Sequence, residues 1–299
     1  MYKNHFGLHE LPFGITPDTS FFFACSNYQQ ALNTLLVAAN NGEGFIKITG
    51  EVGTGKTLLC RKFMALLDDS FVTAYIPNPS LEPHTLMLAL ADELEVPLEQ
   101  HNDQYHLMKA INLRLLRLAR AGKRVLFCLD EAQAIPIESL EAIRLLSNLE
   151  TEKRKLLQIV LFGQPELDRK LGQDSIRQLN QRITFHYRLA PLSRGDLEFY
   201  ISHRLAVAGF SGGRLFSKGA VKMLNAASGG IPRLVNILAH KSLMLAYGEG
   251  KREVRARHVA AAAIDTDAAR RRAPLWMWPS AAMLCIVVAS AGIGWMYMQ

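Results

Sequence analysis

The sequence has 299 residues, and its 34 lysines and arginines outnumber its 27 aspartates and glutamates, giving a formal net charge of +7. This length predicts about two domains and a sizeable buried core, which excludes a small protein held together by disulfides. Hydrophobic residues make up 49% of the chain and charged residues 20%, which excludes a disordered or collagen-like protein.

Residues 1–40 are predicted to be an N-terminal linker segment that contains several aromatic side chains. Apolar strand patterns and helical patterns then alternate as far as residue 190. Because this alternation is typical of a parallel sheet flanked by helices, residues 41–190 are predicted to form an α/β domain. The predicted strands are 44–49, 71–76, 124–129, 156–162 and 184–189, and the predicted helices between them are 57–67, 84–94, 104–121 and 139–149.

The chain after residue 190 has no strand pattern. Four helical patterns, separated by glycine-rich turns, lie at 194–208, 217–227, 232–247 and 257–269. Residues 191–269 are therefore predicted to form a small all-helical second domain.

The C-terminal residues are predicted to cross a membrane once. Residues 274–299 contain no charged side chain, and about 20 mainly apolar residues are enough for a spanning helix. Tryptophans near both ends fit interfacial aromatic belts, and the basic juxtamembrane stretch 270–273 fits a cytoplasmic flank. The alternative is a buried helix of a soluble domain. We expect a single-pass anchor, with the rest of the chain in the cytoplasm.

Much of the positive charge lies beside this predicted anchor. Residues 251–272 carry seven basic and three acidic side chains, which is a net +4 of the total +7. Basic residues in this position are attracted to anionic membrane lipids by about 1 kcal/mol each. Inner-membrane lipids are therefore an expected partner, whereas the composition does not require nucleic acid.

The strongest motif is Gly50-Glu-Val-Gly-Thr-Gly-Lys-Thr57, which follows a predicted strand and begins a predicted helix. In a P-loop of this pattern the glycines let backbone N–H groups face phosphates, and the helix N-terminus adds a positive dipole. Lys56 is predicted to bridge the β- and γ-phosphates of ATP, and the Thr57 hydroxyl to bind Mg²⁺. The alternative is a simple glycine turn before a helix. The predicted nucleotide-binding residues are Gly50, Glu51, Val52, Gly53, Thr54, Gly55, Lys56, Thr57 and Leu58.

The predicted strand 124–129 ends in two carboxylates, Asp130 and Glu131. After a P-loop, an apolar strand that ends in this way predicts a metal ligand followed by a catalytic base. Asp130 is predicted to hold Mg²⁺, and Glu131 to polarise the attacking water as the general base. The alternative is an acidic pair that only opens a loop.

The P-loop, the acidic pair and the helical second domain together resemble an AAA+ ATPase. The resemblance implies a polar sensor of the γ-phosphate at Gln164, an arginine finger at Arg182 and a second sensor at Arg233 on a helical lid. A guanidinium that reaches the nucleotide of a neighbouring subunit can raise the hydrolysis rate about 10³-fold. As alternatives, Gln164 could only cap the following helix, and Arg233 could serve only an ion pair. Arg177 could be the finger instead of Arg182, or either arginine could be a solvated surface residue.

Several short sequence motifs resemble those of a narrower group, the ExeA/GspA-type secretion ATPases. They lie at 49–57, 129–133 and 162–167, together with the N-terminal pattern at 2–13 and 16–18. Within that group the chain is similar to the MshM-type ATPases of mannose-sensitive haemagglutinin (MSHA, type IV) pilus biogenesis. The resemblance implies that the N-terminal aromatic residues help to wall the adenine site, and the alternative is that they pack against the α/β core.

The expected fold is therefore an α/β P-loop AAA+ domain, a parallel sheet flanked by helices, with a small all-helical lid and one C-terminal transmembrane helix. We expect an ATPase of the bacterial inner membrane that forms homo-oligomers, such as rings, and drives assembly of a pilus or secretion complex with ATP and Mg²⁺. The alternative is a DNA-directed AAA+ ATPase of the transposition or initiator type. A third hypothesis is a nucleotide-gated scaffold that hydrolyses ATP slowly to reset its oligomeric state.

Overall fold

The computed structural model of the protein describes residues 2–97, 103–150 and 154–270. These residues form two compact units. The α/β unit is Thr16–Leu192, and the helical unit combines the residues up to Ile15 with those from Ser193 onward. The chain therefore passes from one unit to the other twice.

The α/β unit is built on a parallel sheet. Within the described residues the sheet has five strands in the spatial order β2-β3-β4-β1-β5. The strands are β1 (Phe45–Gly50), β2 (Phe71–Ile76), β3 (Arg124–Leu129), β4 (Gln158–Gly163) and β5 (Ile183–Leu189). All five lie where the sequence predicts them, and the predicted parallel sheet is confirmed.

The burial of each strand reflects its place in the sheet. Strands β3 and β4 lie inside the sheet, and β4 is buried along its whole length. Strand β5 lies at an edge, and its residues alternate between half-buried and exposed. A strand covered on both faces is a continuous apolar run, which is why β3 and β4 are easily recognised in the sequence.

Helices cover the sheet and form the second unit. The predicted helices of the α/β region are present, but the helix beginning at Ser26 and the one beginning at Pro165 are not among those that the sequence analysis predicted. The α-helices of the described residues are α1 (Lys3–Phe6), α2 (Ser26–Asn41), α3 (Lys56–Ala65), α4 (Pro83–Glu93), α5 (Gln104–Arg120), α6 (Ile137–Leu146), α7 (Pro165–Leu171), α8 (Arg177–Asn180), α9 (Arg194–Val207), α10 (Lys218–Ser228), α11 (Pro232–Gly248), α12 (Ala256–Ile264) and α13 (Asp267–Arg270).

A buried arginine fastens the N-terminal segment inside the helical unit. Arg204 on α9 is 6% exposed, and its guanidinium donates to the backbone carbonyl of Pro12 at 2.5 Å and to that of Gly14 at 3.4 Å. It also donates to the Tyr200 hydroxyl at 3.2 Å. The Asn236 side chain on α11 donates to the same Gly14 carbonyl at 3.1 Å. Pro12 and Gly14 lie outside the helices and strands. The side-chain donors therefore satisfy carbonyl groups that are not paired within secondary structure.

The N-terminal aromatic residues are divided between the two units. Phe6 and Phe13 are buried in the helical unit, where the Phe13 ring meets the edge of Phe216 at a centroid distance of 5.7 Å. Phe21 and Phe22 belong to the α/β unit. The structure thus divides the segment that the sequence analysis treats as one linker, 1–40.

No helix within the described residues is both long and apolar enough to span a membrane. The predicted anchor at 274–299 lies outside those residues, as does most of the basic stretch 270–273.

Replacement of Arg204 tests how the helical unit holds its N-terminal segment. Arg204→Ala is expected to lower the free energy of unfolding by about 3 kcal/mol, because carbonyl groups of Pro12 and Gly14 lose a charged donor. Urea unfolding measures the change. The matched control is the exposed Lys222 on α10, where substitution by alanine should change stability by less than about 0.5 kcal/mol. Equal losses in the two variants would contradict this role of Arg204.

Candidate functional site

The candidate site lies at the carboxyl edge of the sheet, where β1, β3 and β4 end. From β1 the chain crosses to β2 on one side, and from β4 it crosses to β5 on the other. Neighbouring strands β1 and β4 therefore send their connections in opposite directions. In open α/β sheets, a crevice at such a switch point is the usual ligand-binding place.

The loop between β1 and α3 has the backbone conformation of a phosphate cradle. Gly53 and Gly55 have φ values of +80° and +89°, a region that side chains with a Cβ rarely adopt. A Cβ on Gly50 would lie 2.8 Å from the Leu189 carbonyl oxygen and 2.8 Å from Thr54 Oγ1. Glycine is therefore required at these positions for reasons of conformation and space.

Tyr28 contacts the loop between β1 and α3 through its hydroxyl. The sequence analysis did not predict this contact. Its hydroxyl donates a hydrogen bond to the Thr54 carbonyl, and a Cβ on Gly55 would lie 2.8 Å from that hydroxyl. Tyr28 is buried on α2, well before the motif in the chain. No local pattern around Tyr28 indicates this contact, which only the tertiary fold creates.

Lys56 projects into the loop that precedes it. The side chain is buried, and its ammonium donates to the Gly50 carbonyl at 2.8 Å and to the Glu51 carbonyl at 3.1 Å. Burial lowers the pKa of Lys56, while the carboxylates of Glu131 and Asp130 oppose that shift. The ammonium thus lies at the centre of the loop, beside the carboxylates of β3.

The two residues predicted to hold a divalent cation are in direct contact. The Thr57 hydroxyl donates to Asp130 Oδ2 at 2.6 Å. Asp130 is 2% exposed, and burial raises its pKa against the hydrogen bonds from Thr57 and from the Glu131 backbone N–H. A hydroxyl and a carboxylate are hard oxygen ligands, which Mg²⁺ prefers, and it usually keeps waters and substrate phosphate in its remaining positions. The donor set therefore fits Mg²⁺.

Glu131 occupies a left-handed backbone conformation, with φ +50° and ψ +37°. This is rare for a residue other than glycine, and strained positions of this kind cluster at functional sites. Its Oε2 accepts hydrogen bonds from Gln164 Nε2 at 3.0 Å and from Gln133 Nε2 at 2.6 Å. The structure thus brings Glu131 and Gln164 together, and adds Gln133, to which the sequence analysis assigns no role.

The three arginines discussed in the sequence analysis have different surroundings. The Arg182 guanidinium donates to Ser147 Oγ and Asn148 Oδ1, both at 2.6 Å, and to the Arg144 carbonyl at 3.3 Å. Arg177 is exposed at the start of α8. Arg233 is exposed near the start of α11 in the helical unit, so it is not among the residues that the α/β unit brings together.

Most of the α/β unit is similar to a known protein family. Residues 39–171 match the family described as AAA domain. The parallel five-stranded sheet of the described residues, its flanking helices and the loop after β1 form the AAA P-loop fold. This part of the chain is therefore similar to AAA domains in both sequence and fold.

A curated relative extends the similarity to nearly the whole chain. General secretion pathway protein A of Aeromonas hydrophila is 38% identical over 301 residues, which covers 99% of this chain and 54% of that protein. This chain thus spans about half the length of that relative. The similarity supports the resemblance to ExeA/GspA-like AAA+ ATPases, and the narrower likeness to MshM-type ATPases stays a prediction.

Solved structures share the fold at low sequence identity. Cdc6p of Pyrobaculum aerophilum has a TM-score of 0.63 and 19% identity, and covers 83% of this chain and 70% of that one. The Aeropyrum pernix ORC1 protein in complex with DNA has a TM-score of 0.59, 18% identity and coverage of 85% and 69%. The Thermotoga maritima RuvB branch migration motor has a TM-score of 0.53, 15% identity and coverage of 85% and 72%. At these identities the likeness shows the fold alone.

Alanine at Gly55 tests the loop geometry directly. Gly55→Ala combines a left-handed backbone with a clash against Tyr28, so it is expected to lower the melting temperature and to weaken binding of a fluorescent ATP analogue about 10-fold or more. The matched control is Gly122→Ala, where φ is +78° but a Cβ would enter open space. That variant should lose stability alone. Unchanged nucleotide affinity in Gly55→Ala would show that the loop does not form the binding site.

Proposed function

We propose that the protein binds ATP with Mg²⁺ at the carboxyl edge of the sheet and hydrolyses it to ADP and phosphate. The observation that carries this proposal is the contact between the Thr57 hydroxyl and the Asp130 carboxylate, at 2.6 Å, directly beside Glu131. The contact brings together residues that are far apart in the sequence, and this supports a site for phosphoryl transfer.

Each residue has a role that follows from its chemistry. Lys56 binds the β- and γ-phosphate oxygens as a point charge, while Thr57 and Asp130 hold Mg²⁺, which when bound neutralises charge on the phosphates. Glu131 accepts the proton of the water that attacks the γ-phosphorus as the bond to the β-phosphate oxygen breaks. The Gln164 amide, which already donates to Glu131, lies where a second donor can orient that water.

An arginine from a neighbouring subunit completes the proposed site. The sequence analysis gives this role to Arg182, with Arg177 as the alternative. The contacts favour Arg177, because Arg182 donates to three acceptors of its own subunit. The Arg177 side chain is exposed and makes no hydrogen bond or ion pair with the described residues. AAA+ ATPases typically oligomerise, and a homo-oligomer would place such an arginine against the next nucleotide.

Mixing two inactive variants tests catalysis in trans. Arg177→Ala should lose about 10³-fold in ATP turnover, because it removes the charge that stabilises the transition state. Addition of Glu131→Gln subunits, inactive themselves but with Arg177 intact, should restore turnover at the sites of the first variant. The matched variant Arg182→Ala should show a lower melting temperature and no restoration. If Arg182→Ala is restored and Arg177→Ala is not, Arg182 is the finger.

The proposed cellular role is assembly of a secretion or pilus complex at the bacterial inner membrane. It is supported by the 38% identity to a protein named for the general secretion pathway. The predicted single-pass anchor at 274–299, with the ATPase on the cytoplasmic side and the basic residues against anionic lipids, is part of the same proposal. The MSHA-type pilus is the narrower version, and DNA-directed action stays the alternative.

Trapping the ATP-bound state on membranes tests this role. The Glu131→Gln variant should keep ATP and lose turnover, so that its partners remain bound during crosslinking and mass spectrometry. We expect pilus or secretion assembly proteins among the crosslinks, and loss of those crosslinks when residues 274–299 are deleted. Recovery of DNA with replication or transposition proteins would instead favour the alternative.

A further inference from the structure

The side-chain amide of Gln133 joins the ends of two strands. Its Nε2 donates to Glu131 Oε2 at 2.6 Å, at the end of β3. Its Oε1 accepts the backbone N–H of Gln164 at 2.9 Å, at the end of β4. The amide thus spans the crevice between the proposed base and the residue that follows β4.

Chemistry permits only one orientation of this amide. An ionised carboxylate can only accept hydrogen bonds, and a backbone N–H can only donate one. The Gln133 nitrogen must therefore face Glu131, and its oxygen must face Gln164. A carboxylate at position 133 would keep the second contact, but it would put a negative charge against Glu131 in place of the first.

The loop that carries Gln133 has separate support. Lys170 on α7 donates to the backbone carbonyl of Gln133 at 2.6 Å and to that of Ile135 at 2.7 Å. These bonds hold the backbone whatever side chain stands at position 133. The position of the loop therefore does not depend on the hydrogen bonds of the Gln133 side chain. The effect of those hydrogen bonds is to orient Glu131.

The side-chain amides of Gln133 and Gln164 donate to the same carboxylate oxygen of Glu131. Gln133 Nε2 and Gln164 Nε2 each donate to Oε2, at 2.6 Å and 3.0 Å. Among the described residues no hydrogen bond reaches Oε1. This oxygen is thus the one left to accept a proton from water, and the direction in which it points is fixed by the two amides.

We propose that Gln133 is a positioning residue that holds the Glu131 carboxylate and couples it to Gln164 at the end of β4. This inference rests on the proposed ATP hydrolysis. Removal of the amide should leave nucleotide binding intact, because within the described part of the chain none of the hydrogen bonds of Gln133 reaches the P-loop. It should slow the chemical step, because the base loses its fixed direction.

Steady-state kinetics of Gln133→Ala test the effect on the chemical step. We expect kcat to fall about 10-fold with KM unchanged, because the base loses its orientation while nucleotide binding is kept. The exposed Gln173 provides the matched control, and its alanine variant should hydrolyse ATP like the wild type. An unchanged kcat in Gln133→Ala, or an equal fall in the Gln173 control, would overturn the inference.

Thermal unfolding without nucleotide tests the contact itself. Gln133→Glu should melt at a lower temperature than Gln133→Ala, because two carboxylates then face each other. Combination with Glu131→Gln exchanges the amide and the carboxylate, so it should restore the melting temperature without restoring activity. Absence of this restoration would overturn the contact. If the wild type does not hydrolyse ATP, the proposed function is wrong. The melting temperatures still test the contact between Gln133 and Glu131, because they are measured without nucleotide.

Discussion

The hydrogen bond between the Thr57 hydroxyl and the Asp130 carboxylate connects the two halves of the site. Thr57 lies in the first turn of the helix after β1, and Asp130 directly follows β3, which is separated from β1 in the sheet by β4. The bond forms where the carboxyl ends of the parallel strands β1 and β3 meet at one edge of the sheet. The glycine loop after β1 and Glu131 after β3 lie at that same edge.

The charges of the site favour binding of nucleotide and metal as one unit. Lys56 is a buried cation whose pKa is lowered by burial, and beside it lie the carboxylates of Asp130 and Glu131. A triphosphate alone would bring several negative charges against these two carboxylates. A divalent cation held by Asp130 and Thr57 changes the sign of the local charge, so the same carboxylates then favour the complex. In the proposed site, the metal would therefore lower the repulsion between the acidic pair and the phosphates.

The sequence predicts the parts of this site that lie in continuous segments of the chain. The loop from Gly50 to Thr57 and the acidic end of β3 need only a short pattern and an apolar strand before them, and both lie where they are predicted. Tyr28 and Gln133 could not be predicted in the same way, because their contacts join segments that are distant in the chain or depend on a side-chain direction. The division of the N-terminal segment between the two units has the same cause: Arg204 binds carbonyl groups that precede it by most of the chain.

The two candidate arginines show how the surroundings of a side chain change its interpretation. Both lie before β5, and the sequence offers no physical difference between them. In the structure Arg182 meets the last turn of α6 and the residues after it, where the helix dipole attracts a cation and three oxygens accept its protons. Hydrogen bonds to a charged group contribute about 1.5–3 kcal/mol each, so withdrawal of Arg182 toward another subunit would have to be offset by comparable contacts there. Arg177, exposed at the start of α8, requires no such exchange, and its charge is available to a neighbouring subunit as it stands.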